Sequence, residues 1–278
     1  MKETYCYTDK QFVKTKDGGL PISDLGIQRG YGVFDFFRVH RKKALFLEDH
    51  LDRLYHSAKI MRLDGCITRK HLYSIIDELI NLNDYEHSGM RIMLTGGDAD
   101  DGYSIQNPRL SIIQNTLAPP PLELPERGIR LASYNYQRQL SEVKTTDYLM
   151  AIWLQPWMKE KKADDILYYH DQHITECPRS NIFIITQDFK LITPEHGMLS
   201  GITRKNIIRV CKKLNLALEE RNIHLNEMRD AKGAFICSTT KRMMPVVKID
   251  EIEFDLSSSR KTLETIWQEL IKMEEAPF

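Results

Sequence analysis

Two short stretches of this 278-residue chain carry groups that could grip an anion. Leu199-Ser-Gly-Ile-Thr-Arg204 turns through a glycine into an apolar-periodic segment, so the first amides of the helix that follows, Ile202 and Thr203, have no partner inside it. Such an end binds a phosphate or a carboxylate well, and plain capping of a helix is the other use of the same pattern. Ser238-Thr-Thr240 comes after an apolar run and offers hydroxyls and amides for the same purpose, or simply marks a strand-to-turn boundary. Gly96-Gly-Asp-Ala-Asp-Asp-Gly102 resembles a calcium loop, but its acidic spacing is wrong for an EF-hand and Arg109 stands where the closing glutamate is needed. His170 with His173, and His50 with His56, lack a third ligand at a recognisable spacing, so no metal is expected. There is no dinucleotide fingerprint, Walker loop or nucleophile elbow.

The elements that must position these groups follow from periodicity. Gly32 to His40 reads as a strand rich in Val and Phe. Glu48 to Leu63 reads as a helix through Leu51, Leu54, Tyr55, Ala58 and Met61, and a second helix covers Arg69 to Leu82. Strands are expected at 91–95, 110–114, 129–133, 166–170, 182–186 and 190–193, with a last one at 234–237. A helix is expected near 148–162, kinked or shortened by Pro156, and another at 202–216. Thr116 to Pro125 holds four prolines within seven positions, which removes donors and stiffens the chain. The domains expected are therefore 1–118 and 128–278, joined by a linker at 119–127. Mixed elements without regular βαβ alternation favour the α+β class.

Composition narrows the partners. The 39 basic and 39 acidic residues cancel, which argues against nucleic acid or an anionic membrane surface. Five scattered cysteines with no C-x-x-C pair read as reduced thiols. No run approaches the roughly 20 apolar residues of a membrane span, and Met-Lys-Glu-Thr-Tyr-Cys-Tyr is not a signal peptide. A cytoplasmic protein is expected.

Read together, six segments resemble the class IV family of pyridoxal-phosphate transaminases, which includes the branched-chain and D-amino-acid enzymes. They are Ser23-Asp-Leu-Gly-Ile-Gln-Arg-Gly-Tyr-Gly-Val-Phe34, His50-Leu-Asp-Arg-Leu-Tyr-His-Ser57, Val143-Lys-Thr-Thr-Asp-Tyr-Leu149, Glu176-Cys-Pro-Arg-Ser-Asn-Ile-Phe183, Ser200-Gly-Ile-Thr-Arg204 and Ser238-Thr-Thr240. Each is weak alone; six in the family's order and spacing are specific. The resemblance implies a two-domain α+β fold, with a small sandwich domain and a larger domain built on a pseudo-barrel sheet. It also implies a homodimer and pyridoxal 5′-phosphate as cofactor.

Roles follow from the resemblance, residue by residue. Lys144, which composition alone would leave an exposed lysine before a helix, carries the cofactor as a Schiff base and shuttles the proton from Cα. Glu176 faces the ring nitrogen and keeps it protonated, and Asn181 orients the Glu176 region. Ile202, Thr203, Thr239, Thr240 and Arg53 hold the phosphate, Tyr148 donates to the ring oxygen, and Leu199 packs on the ring face. On a helical wheel Arg53 lies opposite the apolar stripe and reads as solvated, whereas the resemblance turns that face into the site.

A transaminase must anchor a carboxylate, and arginine's planar fork suits the task. Gly96 stands where D-amino-acid members carry their arginine trap, Phe34-Asp-Phe36 departs from the Phe-Glu-Gly of branched-chain members, and the threonines of aminodeoxychorismate lyases are absent at Asp35 and Phe36. The wording is nearest a less typical subgroup with D-amino-acid activity. Arg29 and Arg91, with Arg179 close by, are expected to form a substitute clamp, with Arg29 reaching across a dimer. A lyase on the same scaffold is the alternative, and a catalytically idle binding protein a more distant one.

Overall fold

A computed structural model describes residues 3–275. The chain divides into two compact units, one made of Met1–Pro119 and Val143–Asp147, the other of Pro120–Glu142 and Tyr148–Phe278. The segment holding Lys144, expected with the larger half, thus packs with the smaller.

The first unit runs β1 (Tyr5–Thr8), β2 (Gln11–Lys14), α1 (Leu25–Gln28), β3 (Gly32–His40), β4 (Lys43–Ala44), α2 (Leu47–Ile60), α3 (Arg69–Asn83), β5 (His87–Asp98) and β6 (Asn107–Thr116). Its sheet has the order β2-β1-β6-β5-β3-β4 and is antiparallel throughout. One face is apolar: Val33, Phe37 and Val39 alternate along β3 and meet Leu51, Leu54 and Ala58 of α2 and Leu72, Ile75, Ile76 and Leu79 of α3. These are the helical and strand periodicities read from the sequence. Thr68 starts α3 by accepting from the His71 amide. The acidic loop after β5 spends its carboxylates on itself and its surroundings. Asp98 accepts from Ser23 Oγ and Arg109, while Asp101 accepts from the amides of Tyr103 and Ser104.

The second unit runs β7 (Ile129–Asn135), α4 (Leu149–Trp153), α5 (Gln155–Glu160), β8 (Asp165–His170), β9 (His173–Ile174), β10 (Asn181–Ile185), β11 (Leu191–Thr193), α6 (Ile202–Lys213), β12 (Leu218–Glu220), β13 (Ile223–His224), β14 (Gly233–Ser238), β15 (Arg242–Ile249), β16 (Ile252–Glu253) and α7 (Leu256–Glu275). Its sheet has the order β12-β11-β10-β14-β15-β7-β8-β9-β13, with β16 added beside β15. Both units mix helices and strands without regular βαβ alternation, which is the α+β class expected; the second unit has two parallel crossovers, β7 to β8 and β11 to β12. Pro156 does more than kink its helix: the segment breaks into α4 and α5, with the proline in the first turn of the second. The expected last strand at 234–237 is not the last element. It is followed by β15, β16 and α7, whose Leu263, Ile266, Trp267 and Leu270 pack into the core with α6. The helix is fastened within its apolar stripe by Trp267 Nε1 donating to the Leu122 carbonyl, and beyond it by Arg242 paired with Glu274.

Candidate active site

In the first unit Lys144 lies in an extended segment joined to the start of β3. The Phe34 amide donates to the Lys144 carbonyl at 3.0 Å, the Thr146 amide donates to the Gly32 carbonyl at 2.9 Å, and the Lys144 amide donates to Ser57 Oγ at 3.2 Å. Glycine at position 32 permits this close pairing, since a Cβ there would stand 3.0 Å from the Leu94 carbonyl oxygen and 3.3 Å from Thr146 Oγ1. The backbone is therefore pinned, and Nζ sits 4.5 Å from the centre of the Phe34 ring. The Arg91 guanidinium lies 5.0 Å from the same ring centre. Phe36 pairs with Arg91 across β3 and β5, so Phe34, Phe36 and Arg91 share one face of the sheet.

The opposite face carries Asp35, which is fully buried. It accepts a two-pronged bond from Arg53 Nε and Nη2, both at 2.8 Å, and meets His50 Nδ1 at 2.7 Å. This corrects the solvated helical-wheel reading of Arg53, whose side chain is only 9% exposed. A wheel shows the apolar stripe but not a buried acceptor waiting on a neighbouring strand. Burial alone would push the Asp35 carboxyl up, yet Arg53 and His50 hold it well below the usual carboxylate range. Burial pushes the His50 imidazole down against the opposing pull of Asp35, so the ring is neutral near pH 7.

In the second unit the groups gather around Glu176, which is buried between β9 and β10. Arg138 Nε donates to Glu176 Oε1 at 2.7 Å and the Leu199 amide donates to Oε2 at 3.0 Å. Asn181 Nδ2 donates to the Leu199 carbonyl at 2.7 Å. One aspartate-sized amide thus props the loop that enters α6. Glycine at position 201 leaves room for Asn181, because a Cβ there would fall inside the contact radius of Asn181 Oδ1. The N-terminus of α6 receives no side-chain cap from Gly201, so the amides of Ile202 and Thr203 are placed as an anion cradle. Thr239 and Thr240 occupy the turn between β14 and β15, which Lys241 ties to β8 through a 2.9 Å bond to Asp165 Oδ2. Cys177 and Cys237, both buried here, are not nucleophiles. Burial pushes the first thiol well up and the second to about 12.

Other expected residues are more peripheral within their units. Arg29 is exposed at the end of α1 and donates to the Gln28 carbonyl, Arg179 is exposed in the turn between Cys177 and Ser180, and Tyr148 immediately precedes α4. Asp35 and Arg138 are the residues that sequence reading did not assign a role. Asp35 could have been found as a buried-strand carboxylate facing a helix arginine. Arg138 is 38 positions from Glu176 and carries no local signal. Among the described residues, no group of three or more His, Cys, Asp or Glu could hold a metal, and no helix is long and apolar enough to cross a membrane.

What the two units supply is an amine on a rigid backbone, a carboxylate locked by a guanidinium, and a glycine-cleared helix entrance for an anion. The family model described as amino-transferase class IV matches residues 32–249. The chain is 27% identical to a putative branched-chain-amino-acid aminotransferase of Methanocaldococcus jannaschii, over 94% of this chain and 96% of that protein. It is also 27% identical to a D-alanine aminotransferase of Listeria monocytogenes, over 88% and 87% of the two chains. Among solved structures, a branched-chain aminotransferase from Thermoproteus uzoniensis crystallised with norvaline superposes with a TM-score of 0.87, covering 99% of this chain and 96% of that one at 22% identity.

Proposed function

The chain belongs to the class IV aminotransferases, and on that premise we propose that it moves an amino group between an amino acid and a 2-oxo acid at Lys144. The observation that carries this reading is the way Lys144 is held. Its backbone is pinned into β3 and to Ser57 while Nζ stays beside Phe34. A lysine fixed in that way can carry a cofactor and still return a proton to a neighbouring carbon.

The cofactor of this class is pyridoxal 5′-phosphate, and the residues present fit it. Bound, it supplies an electron sink for the substrate Cα–H bond that breaks. Glu176, paired with Arg138, would hold the proton at the ring nitrogen. The amides of Ile202 and Thr203, the hydroxyls of Thr239 and Thr240 and the guanidinium of Arg53 take the phosphate. Tyr148 donates to the ring oxygen, Leu199 covers a ring face, and Asn181 keeps the Leu199 loop in place. Lys144 Nζ takes the Cα proton and delivers it to the acceptor carbon. Arg91, beside Phe34 on the open face of the first sheet, meets the substrate carboxylate, with Arg29 and Arg179 completing the clamp.

The amino-acid partner is of the branched-chain or D-amino-acid kind. A homodimer is the assembly this reading requires, with Arg29 acting across it, and the exposed Leu149, Ile152 and Trp153 support such a surface. The five free thiols suit a reducing cytoplasm.

The test is spectroscopic. Protein loaded with pyridoxal phosphate should show a visible band that each productive amino acid, added alone, bleaches stoichiometrically, and a 2-oxo acid should restore it. A panel of D- and L-amino acids then ranks the donors. Lys144→Ala should abolish the response. Absence of bleaching by every member of the panel would sink the transaminase reading.

A further inference from the structure

Arg138 is the strongest unassigned feature of the second unit, and its geometry is specific. It leaves the end of β7, donates through Nε to Glu176 Oε1 at 2.7 Å, and donates through Nη2 to the Ser141 carbonyl at 2.5 Å. Both partners of the ion pair are largely withdrawn from water, with side chains 16% and 7% exposed. The second oxygen of Glu176 is occupied by the Leu199 amide. The carboxylate is therefore held at both ends, once by a full positive charge and once by a backbone dipole.

That asymmetry matters for a proton shared between Glu176 and a basic ring nitrogen. With the proton on the carboxyl, the glutamate is neutral and the adjacent guanidinium has lost its counter-charge. With the proton on the ring, an anionic Glu176 would keep Arg138 as its counter-charge. A guanidinium cannot take up the proton itself, because arginine stays charged at any working pH. The pair of states is thus biased by electrostatics alone, in a site where partial desolvation strengthens the bias.

We infer that Arg138 is a positioning residue that keeps the proton on the ring nitrogen of the bound cofactor and off Glu176. It rests on the reading that Glu176 faces that nitrogen. Arg138 also fixes the turn 138–141, in which Leu140 takes a left-handed conformation with φ 49°, four residues ahead of Lys144 in the chain. A purely structural Arg138 would act through that turn; the charge role acts through Glu176. The two are separable because lysine retains the charge but cannot reproduce the two-directional fork.

The experiment uses the holoenzyme loaded with pyridoxal phosphate labelled with 15N in the ring. In the unaltered protein and in Arg138→Lys, the 15N shift should report a protonated ring nitrogen at pH 7. In Arg138→Gln it should move toward the neutral pyridine value, with kcat down at least tenfold and a larger primary deuterium isotope effect from Cα-labelled substrate. Arg138→Met, which keeps the side-chain stem without its charge, replaces the glutamine variant if that one does not fold. A protonated signal retained in the uncharged variant overturns the inference, and so does an equal loss in the lysine and glutamine variants. Glu176→Gln is the control on the underlying reading. If it leaves the shift untouched, Glu176 does not face the ring; if it moves the shift while Arg138→Gln does not, only the role of Arg138 fails.

Discussion

Asp35 sits in the interior of the first unit with two partners on α2, the neutral imidazole of His50 and the guanidinium of Arg53, one helical turn apart. A buried carboxylate survives only when its charge is matched, and the two-pronged bond from Arg53 does that. Removing the acid leaves a guanidinium almost out of water without its counter-charge. Asp35→Asn should therefore cost about 3 kcal/mol or more of stability, read from urea unfolding. It should also weaken cofactor binding, because Arg53 loses the group that aims it. Unfolding midpoints equal to those of the unaltered protein would show that the pair contributes nothing. His50 makes a separate prediction about pH. Its folded pKa is below the unfolded value of about 6.5, so the unfolded chain binds a proton that the folded chain refuses. Stability from this residue is complete above about pH 6.5 and declines as pH falls toward the folded value. Asp35 adds nothing to that decline until the pH approaches the ordinary carboxylate range, since its own pKa is depressed. His50→Gln should accordingly flatten the fall in Tm between pH 7 and 5, and an unchanged slope would remove His50 as its source.

At the scale of elements, the entrance to α6 shows how one glycine and one amide build a cradle. Asn181 on β10 holds the Leu199 carbonyl, and its Oδ1 occupies the space a Cβ of residue 201 would need. Gly201→Ala should push the loop off Asn181 and weaken phosphate-dependent cofactor binding by at least tenfold, about 1.4 kcal/mol. Adding Asn181→Ala makes room for the new methyl group, so the double variant should bind better than the sum of the two losses foretells. Strict additivity, measured by cofactor titration, would mean the two side chains do not share that space. The sequence displayed the parts of this cradle with real clarity: the Ser200-Gly201 turn, the apolar periodicity of α6, and Ser238-Thr-Thr240 after an apolar strand. It could not display what depends on residues far apart. Arg138 reaches Glu176 across 38 positions, and Asp35 meets Arg53 only once β3 lies against α2. The C-terminal helix is legible in a periodic stripe of Leu263, Ile266, Trp267 and Leu270, although it carries no chemistry-bearing motif.

The whole molecule raises the matter of assembly, because α4 exposes Leu149, Ile152 and Trp153 by more than 60% each. Scattered apolar residues on a surface are ordinary, but three within one five-residue helix form a patch that a soluble chain usually covers. The proposed dimer covers it, and the role of Arg29 gives a way to test the dimer without relying on size alone. Lys144→Ala lacks the essential amine, and Arg29→Ala lacks the arm proposed to reach a neighbouring site. Each homodimer should be inactive or nearly so. If Arg29 serves the partner's site, unfolding and refolding the two variants together creates mixed dimers in which one site has both its own Lys144 and the neighbour's Arg29, and activity returns. If Arg29 serves its own subunit, every mixed site lacks one group and nothing returns. Trp153→Asp places a charge within the exposed patch, where a dimer would have to bury it without a partner. That variant should sediment as a monomer and should abolish the recovery seen on mixing. Recovery that survives in a monomeric Trp153→Asp protein would contradict the trans arrangement outright, since no neighbouring subunit would be present to lend its arginine.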